Sequence, residues 1–404
     1  MPSDTQPLVS FVMGVFNGEA YLPQALGSIF QQTYENFECI VVNDGSTDNT
    51  LAILNGFQDP RLRVIDNEQN VGLTRSLNIG LAQARGGLIA RHDADDLSHP
   101  NRLERQVAVL NANPGCILVG SSYEVIDTNG TILDTVEMSL TDTALQNELA
   151  QWNCYCHGSV LMRQDVLRKV CGYRESFPVT QDYDLWLRMA EQGKLLAIAE
   201  PCYQYRIDPK AISQSKLHLQ LVYDNLARKL SEERRTVGQE SEIPADVLAA
   251  YPPTPEQLIT RIRRTVYLYY LSGKQTHASE ALQEADFFYK KHMASAPEGT
   301  VDSWGDWMLS EAKHLLSMEG HSHVDGERFI RWVDSHLPNS DEKSSLSKIL
   351  GDFYAELAFL NHQNDAGKYL WPYSLRAIAH DASWIRNRGL WKITVQSSLN
   401  RLWA

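Results

Sequence analysis

The stretch "GLIARHDADD", residues 87–96, sets a short apolar run against three carboxylates in four positions, Asp93, Asp95 and Asp96. Such a run, opened by glycine and closed by charge, reads as a buried strand. Two like charges 4 Å apart at an effective dielectric near 20 repel by about 4 kcal/mol, so something must offset the crowding. In an extended segment Asp93 and Asp95 point to the same side. Two hard oxygen donors on one side suit Mg²⁺ or Mn²⁺, and Mg²⁺ is commonly held by one or two carboxylates plus substrate phosphates. A solvated acidic loop is the plainer reading, and the surrounding sequence must arbitrate.

Upstream and downstream the pattern alternates. "LVSFVMGVF", "FECIVV", "LRVID", "GLIAR" and "CILVGSSYEVI" read as strands, and "YLPQALGSIFQQT", "STDNTLAILNGF", "LTRSLNIGLAQA" and "PNRLERQVAVLNA" as helices, the second capped by Ser46 or Thr47. Short strands between helices imply an α/β fold with a mostly parallel sheet flanked by helices. Ligands in such sheets bind at the carboxyl ends of the strands, and both "NDGSTD" and "HDADD" follow strands directly. No G-x-G-x-x-G follows the first strand and no G-x-x-x-x-G-K-[ST] occurs, which excludes a standard dinucleotide site and a P-loop.

The 404 residues suffice for two domains. After about residue 207 the pattern turns helical, with a polar, proline-bearing linker "TVGQESEIPADVLAAYPPTPEQ", so the expected organisation is an α/β domain over 1–215 and an all-α domain over 216–404. A net charge of −13 argues against nucleic acid as a partner. The six cysteines fit no zinc spacing and are expected to stay reduced in a cytoplasmic setting. The N-terminus carries no basic n-region and no run of 18 apolar residues occurs, so neither a signal peptide nor a membrane span is expected.

"VSFVMGVFNGEAYLPQALGSIFQQTYENFECIVVNDGSTDNT", "NVGLTRSLNIGLAQARGGLIARHDADDLSHPNRLERQ", "HGSVLMRQDVLRKVCGY" and "TQDYDLWLRMAEQG" occur in that order. Together they resemble family 2 glycosyltransferases of the GT-A fold, over roughly residues 8–207. The resemblance implies an inverting, metal-dependent transfer of a sugar from a nucleotide-diphosphate donor, with a UDP- or dTDP-sugar favoured, to a saccharide or lipid-linked acceptor. Asp93-Ala-Asp95 matches the family's D-x-D element: Asp95 would ligate Mn²⁺ or Mg²⁺ and Asp93 would hold the ribose or support the metal. The resemblance leaves Asp96 without a role.

Asp44, as an acceptor-only group, can take the N3–H of uracil or thymine, the role the family assigns to it; an Asx turn in "NDGS" is the alternative. Gly14 follows the first strand, where a missing side chain lets a nucleotide approach. Arg75 matches an arginine the family places near the nucleotide and otherwise reads as a surface charge. His157 is a candidate contact for acceptor or diphosphate, or a structural histidine. Asp182 shares a helical stripe with Leu185, Trp186 and Met189. Partial desolvation there would raise its pKa toward that of a useful base, whereas Asp184 lies with Leu187 and Arg188. Asp182 is therefore the expected general base, which the family motif also implies; a helix N-terminal acid is the plainer reading.

Two rivals follow. One is a catalytically inactive nucleotide-sugar-binding or scaffold protein. The other is a sugar-phosphate nucleotidyltransferase, disfavoured because "MGVFNGEAY" lacks a glycine cluster and a basic residue. The tail 382–404 carries Arg386, Arg388, Lys392 and Arg401, no acid, and Trp384, Trp391 and Trp403, a composition that suits peripheral contact with an anionic membrane. Packing of those tryptophans on the helical domain is the alternative.

Overall fold

The computed structural model describes residues 6–208, 216–283, 304–317, 322–337, 346–363 and 370–381, together with Trp384, Asn387 and Leu390. The first four strands, β1 (Val9–Val15), β2 (Phe37–Asn43), β3 (Leu62–Asp66) and β4 (Leu88–Arg91), pair in parallel in the order β3-β2-β1-β4. Helices α1 (Leu22–Phe30), α2 (Thr50–Gly56) and α3 (Leu73–Gln83) connect them. Every residue of β1 and β2 is buried, as a parallel sheet covered on both faces requires. Alternation splits the side chains between two cores: Val12 and Ile40 face Leu77 of α3, while Phe11, Met13 and Val41 join Leu22, Leu26 and Ile29 of α1.

Beyond β4 the sheet becomes mixed. β8 (Leu161–Arg163) is antiparallel to β4 and to β6 (Cys116–Ile126); β9 (Lys194–Arg206) is parallel to β6; β5 (Leu97–Ser98) is antiparallel to β9, and β7 (Ile132–Val136) hangs on β6. Helices α4 (Arg102–Ala112), α5 (Asp142–Leu149), α6 (Gln164–Lys169) and α7 (Gln181–Ala190) complete an α/β sheet flanked by helices. The cap expected at Ser46 or Thr47 is not the one used. Asp48 Oδ1 accepts the Thr50 N–H at 3.0 Å, while Ser46 Oγ accepts from the Asn17 N–H and the Thr47 N–H donates to Asn17 Oδ1. The two residues tie the loop after β1 to the loop after β2 instead of starting a helix.

The chain divides into two compact units, Met1–Pro253 and Thr254–Ala404. The break lies beyond the 215/216 boundary read from the sequence, because helix α8 (Leu217–Val237) belongs with the sheet. Its stripe of Val222, Leu226 and Leu230 shares a core with Leu185 and Trp186 of α7. Helices of the second unit run over Pro255–Leu271, Trp304–Ser317, His323–His336, Leu346–Gln363 and Leu370–His380, and residues 275–283 are also helical. Its first helix opens with a Thr254/Gln257 capping box. In the tail the Trp384 indole donates to Asp352 at 3.1 Å, and Leu390 is buried. Arg386, Arg388, Trp391, Lys392, Arg401 and Trp403 lie outside the described residues. Among the described residues no helix is long and apolar enough to cross a membrane.

Glu38 fastens the parallel half. Buried in β2, it accepts from Ser10 Oγ of β1 at 2.7 Å, from Arg63 of β3 at 3.0 Å and from the Arg85 backbone N–H at 2.8 Å. Burial alone would raise its pKa, but the Arg85, Ser10 and Arg63 hydrogen bonds win and hold it at about 2. A depressed acid stabilises the fold above its unfolded pKa and loses that contribution as pH falls through the folded value. Replacing Glu38 by Gln should therefore cost about 2 kcal/mol in urea unfolding at pH 7. The difference from wild type should shrink between the ordinary glutamate value and about 2. A pH-independent difference would mean that packing, not the ion pairs, sets the cost.

Candidate active site

β4 ends at Arg91, and the acidic run leaves it as a turn, not as the extended segment expected, with the Asp96 N–H reaching back to the Asp93 carbonyl at 3.5 Å. The three carboxylates stay near one another all the same. Burial first, and then the charge of Asp93, raise the Asp95 pKa to about 6. Asp96 is almost wholly buried and is pushed well above the ordinary range by burial and by both neighbours.

Part of the offset sought in the sequence comes from buried arginines that the sequence reading passed over. Arg91, 1% exposed, places Nη2 at 2.5 Å from Asp93 Oδ1. Arg206 at the end of β9 donates its backbone N–H to Asp96 Oδ1 and its Nε to the Asp95 carbonyl, both at 2.7 Å. Arg102 at the start of α4, fully buried, donates to the carbonyls of Arg91 and Val160 at 2.9 and 3.1 Å. The only available signal was position: Arg91 and Arg206 each close an apolar strand, where a solvated charge is out of place. Asp95 and Asp96 both stay raised, and of the two Asp95 is the less buried. Its donors are hard oxygens, and the repulsion that raises its pKa is what a divalent cation would relieve. Among the described residues no group of three or more His, Cys, Asp or Glu forms a complete ligand set. Asp95, with Asp93 beside it, could supply part of the shell of a hard divalent cation.

His157 stands in a single 3₁₀ turn, His157–Ser159. Its Nε2 lies 3.2 Å from Arg91 Nε and 2.9 Å from the Tyr173 hydroxyl. An arginine nitrogen can only donate, so Nε2 is an acceptor and the ring is neutral. Burial first, then Arg91, hold its pKa well below the usual value. His157 thus orients Arg91, which in turn holds Asp93.

Asp182 opens α7 behind Thr180, a β-branched residue at φ 51°. Its Oδ2 accepts from Asn153 Nδ2 at 2.8 Å. Burial raises its pKa, the charge of Asp93 adds to the effect, and the Asn153 hydrogen bond opposes it. Asp184 differs. Arg188 grips its Oδ2 at 2.6 and 2.9 Å, and Arg174 lies 3.4 Å from Oδ1. Two acids on one helix turn are thus separated by partner: a guanidinium pair for Asp184, a neutral amide for Asp182.

Asp44 follows β2 and is buried. Its Oδ1 accepts from Asn67 Nδ2 and the Val71 N–H, and its Oδ2 from the Gly72 N–H, all at 2.9 Å. A carboxylate has about four lone-pair sites, so one on Oδ2 remains. Gly14 sits opposite Val42 in the parallel ladder, and a Cβ there would meet Leu73 Cδ1 of α3 at 3.0 Å. Its bareness lets α3 pack closely on β1. Arg75 is half exposed and pairs with Glu175 at 2.8 Å.

The family model described as glycosyl transferase family 2 matches residues 10–171. A putative glycosyltransferase, EpsE, of Bacillus subtilis is 36% identical over 214 residues, which covers 52% of this chain and 76% of the relative. An uncharacterized glycosyltransferase of Haemophilus influenzae is 32% identical over 241 residues, covering 57% of this chain and 74% of the relative. Among solved structures, S. aureus TarS 1–349 in complex with UDP-GlcNAc is 15% identical with a TM-score of 0.44, covering 94% of this chain and 92% of that one. Identity of this order across three quarters of a relative's length leaves one conclusion: the chain belongs to glycosyl transferase family 2.

Proposed function

We propose that the protein transfers a sugar from a nucleotide-diphosphate donor, a UDP- or dTDP-sugar by preference, to an acceptor hydroxyl with inversion, in the assembly of a polysaccharide or glycoconjugate. The observation that carries this reading is the division of labour on α7. Asp182 is buried, raised in pKa and partnered by a neutral amide and backbone N–H groups with no cation, as a general base should be, while Asp184 is tied to Arg188. Asp182 takes the proton of the acceptor hydroxyl as its oxygen attacks the anomeric carbon, and the nucleoside diphosphate leaves from the opposite face. The free lone pair of Asp44 accepts the base N3–H. Asp93, steadied by Arg91, meets the ribose or supports the metal, and Arg75 stands near the nucleotide. Asp95 would hold Mn²⁺ or Mg²⁺, which when bound supplies positive charge to the leaving diphosphate. The basic, tryptophan-bearing tail suits peripheral contact with an anionic membrane, which would help if the acceptor is lipid-linked.

Asp182→Asn keeps the size and the Asn153 neighbour but removes the base, so kcat should fall by roughly 10²–10⁴ with little change in donor affinity. Asp184→Asn should spare kcat and instead lower stability by about 3 kcal/mol, because Arg188 would be left buried and unpaired. Nucleotide-release kinetics with thermal melts separates the two, and the opposite pattern would reverse the assignment. Since the working form is the carboxylate, the acid limb of kcat in the wild type should lie above the ordinary aspartate range. Calorimetry with UDP and dTDP should show binding that weakens at least tenfold when Mn²⁺ is replaced by chelator; equal affinity would remove the metal from the reading.

A further inference from the structure

The acceptor side of the site has a feature that the general-base reading leaves unused. Asn153 uses one end of its amide on Asp182, at 2.8 Å through Nδ2. The other end, Oδ1, is buried and has no hydrogen-bond partner. A buried amide oxygen without a donor costs on the order of 1–3 kcal/mol, and its orientation is fixed, because turning the amide would aim oxygen at oxygen. The next residue back, Trp152, is 53% exposed. Its backbone N–H donates to the Glu148 carbonyl at 2.9 Å, which pins the chain to the end of α5. Trp152 and Phe16 are the two aromatic side chains among the exposed large hydrophobics of the described residues, and Phe16 belongs to the loop after β1. The exposed indole thus precedes in sequence the residue that carries an amide oxygen lacking a donor, and that residue in turn reaches Asp182.

We infer that Trp152 and Asn153 form the acceptor subsite, and that the acceptor presents a pyranose ring. Trp152 would cover the apolar C–H face of the ring, and Asn153 Oδ1 would accept from a ring hydroxyl beside the one that Asp182 deprotonates. A flat, rigid aromatic with few torsions gives contact area at low entropic cost, and the ring hydroxyl supplies the donor that Oδ1 lacks. A flexible polyol would offer the hydroxyl without the flat face, and an isoprenoid chain the reverse. The inference rests on the glycosyltransferase reading and adds the class of acceptor to it.

The test uses the full chain with Mg²⁺ and UDP, and saturation-transfer NMR with the methyl α- and β-glycosides of glucose, galactose, mannose and N-acetylglucosamine. At least one glycoside should receive saturation on its ring C–H protons. Trp152→Ala should weaken that binding at least tenfold, Trp152→Phe should keep most of it, and Asn153→Ala should weaken it severalfold. UDP affinity, measured by calorimetry on the same samples, should stay within twofold, which also reports that the exposed substitution leaves the fold intact. Binding of no glycoside by the wild type, or binding unchanged by Trp152→Ala, would overturn the subsite while leaving the donor reading untouched. Failure of the wild type to bind UDP would overturn the donor reading and this inference with it.

Discussion

Three acidic side chains within four residues are held at the end of β4 by guanidinium groups taken out of water, and the rest of the site depends on that balance. Arg91 neutralises Asp93 from below the turn, Arg206 fixes the backbone of Asp95 and one oxygen of Asp96, and Arg102 ties the strand end to Val160. Buried guanidiniums are costly unless every donor is used, and here they are spent on main-chain carbonyls as much as on carboxylates. The turn is therefore rigid before any ligand arrives, and preorganised charge is the form of electrostatics that accelerates reactions most. Asp95 and Asp96 both keep raised pKa values, that of Asp95 near 6, so the turn retains a negative potential that a cation would relieve.

The same economy appears on α7. Both acids of "QDYDLW" are buried, yet one is spent on structure and one is kept available. Asp184 and Arg188 are neighbours on the helix face, and Arg188 also donates to the carbonyls of Val170 and Gly172, so the pair pins the chain that leads to Tyr173. Tyr173 then meets His157, His157 meets Arg91 and Arg91 meets Asp93. Asp184 and the acidic turn are thus joined through Arg188, Tyr173, His157 and Arg91, while Asp182 stands outside that chain on Asn153.

Much of the parallel half was readable because each strand is a short apolar run and each helix carries a periodic stripe. "LRVID" reappears residue for residue as Leu62–Asp66. The mixed half was harder for physical reasons. β5 has two residues and β8 three, too few for periodicity, and β9 runs through a proline at Pro201. Their pairing is decided by partners distant in sequence. α8 looked like the start of a helical domain because its amphipathic stripe does not say which surface will cover it; α7 does. At the site, Asp182 could be singled out from Asp184 as a candidate by the stripe, and Asp93 and Asp95 by their pattern. Arg91, Arg206 and Asn153 could not, since an arginine or asparagine at the edge of an element reads the same whether it is solvated or buried.

The turn after β2 carries a consequence of a different kind. Gly45 sits at φ 68°, and a Cβ there would come within 2.5 Å of the Gln69 carbonyl carbon and 2.6 Å of the Asn70 nitrogen. Asp44 beside it grips the N–H groups of Val71 and Gly72. Surface connections ordinarily drift freely in length among related proteins. The connection from β3 to α3 is denied that freedom, because adding or removing one residue between Asn67 and Gly72 would shift every contact of the clasp at once. Evolution in this segment should proceed by exchange of side chains at fixed spacing, with indels diverted to connections on the other edge of the sheet.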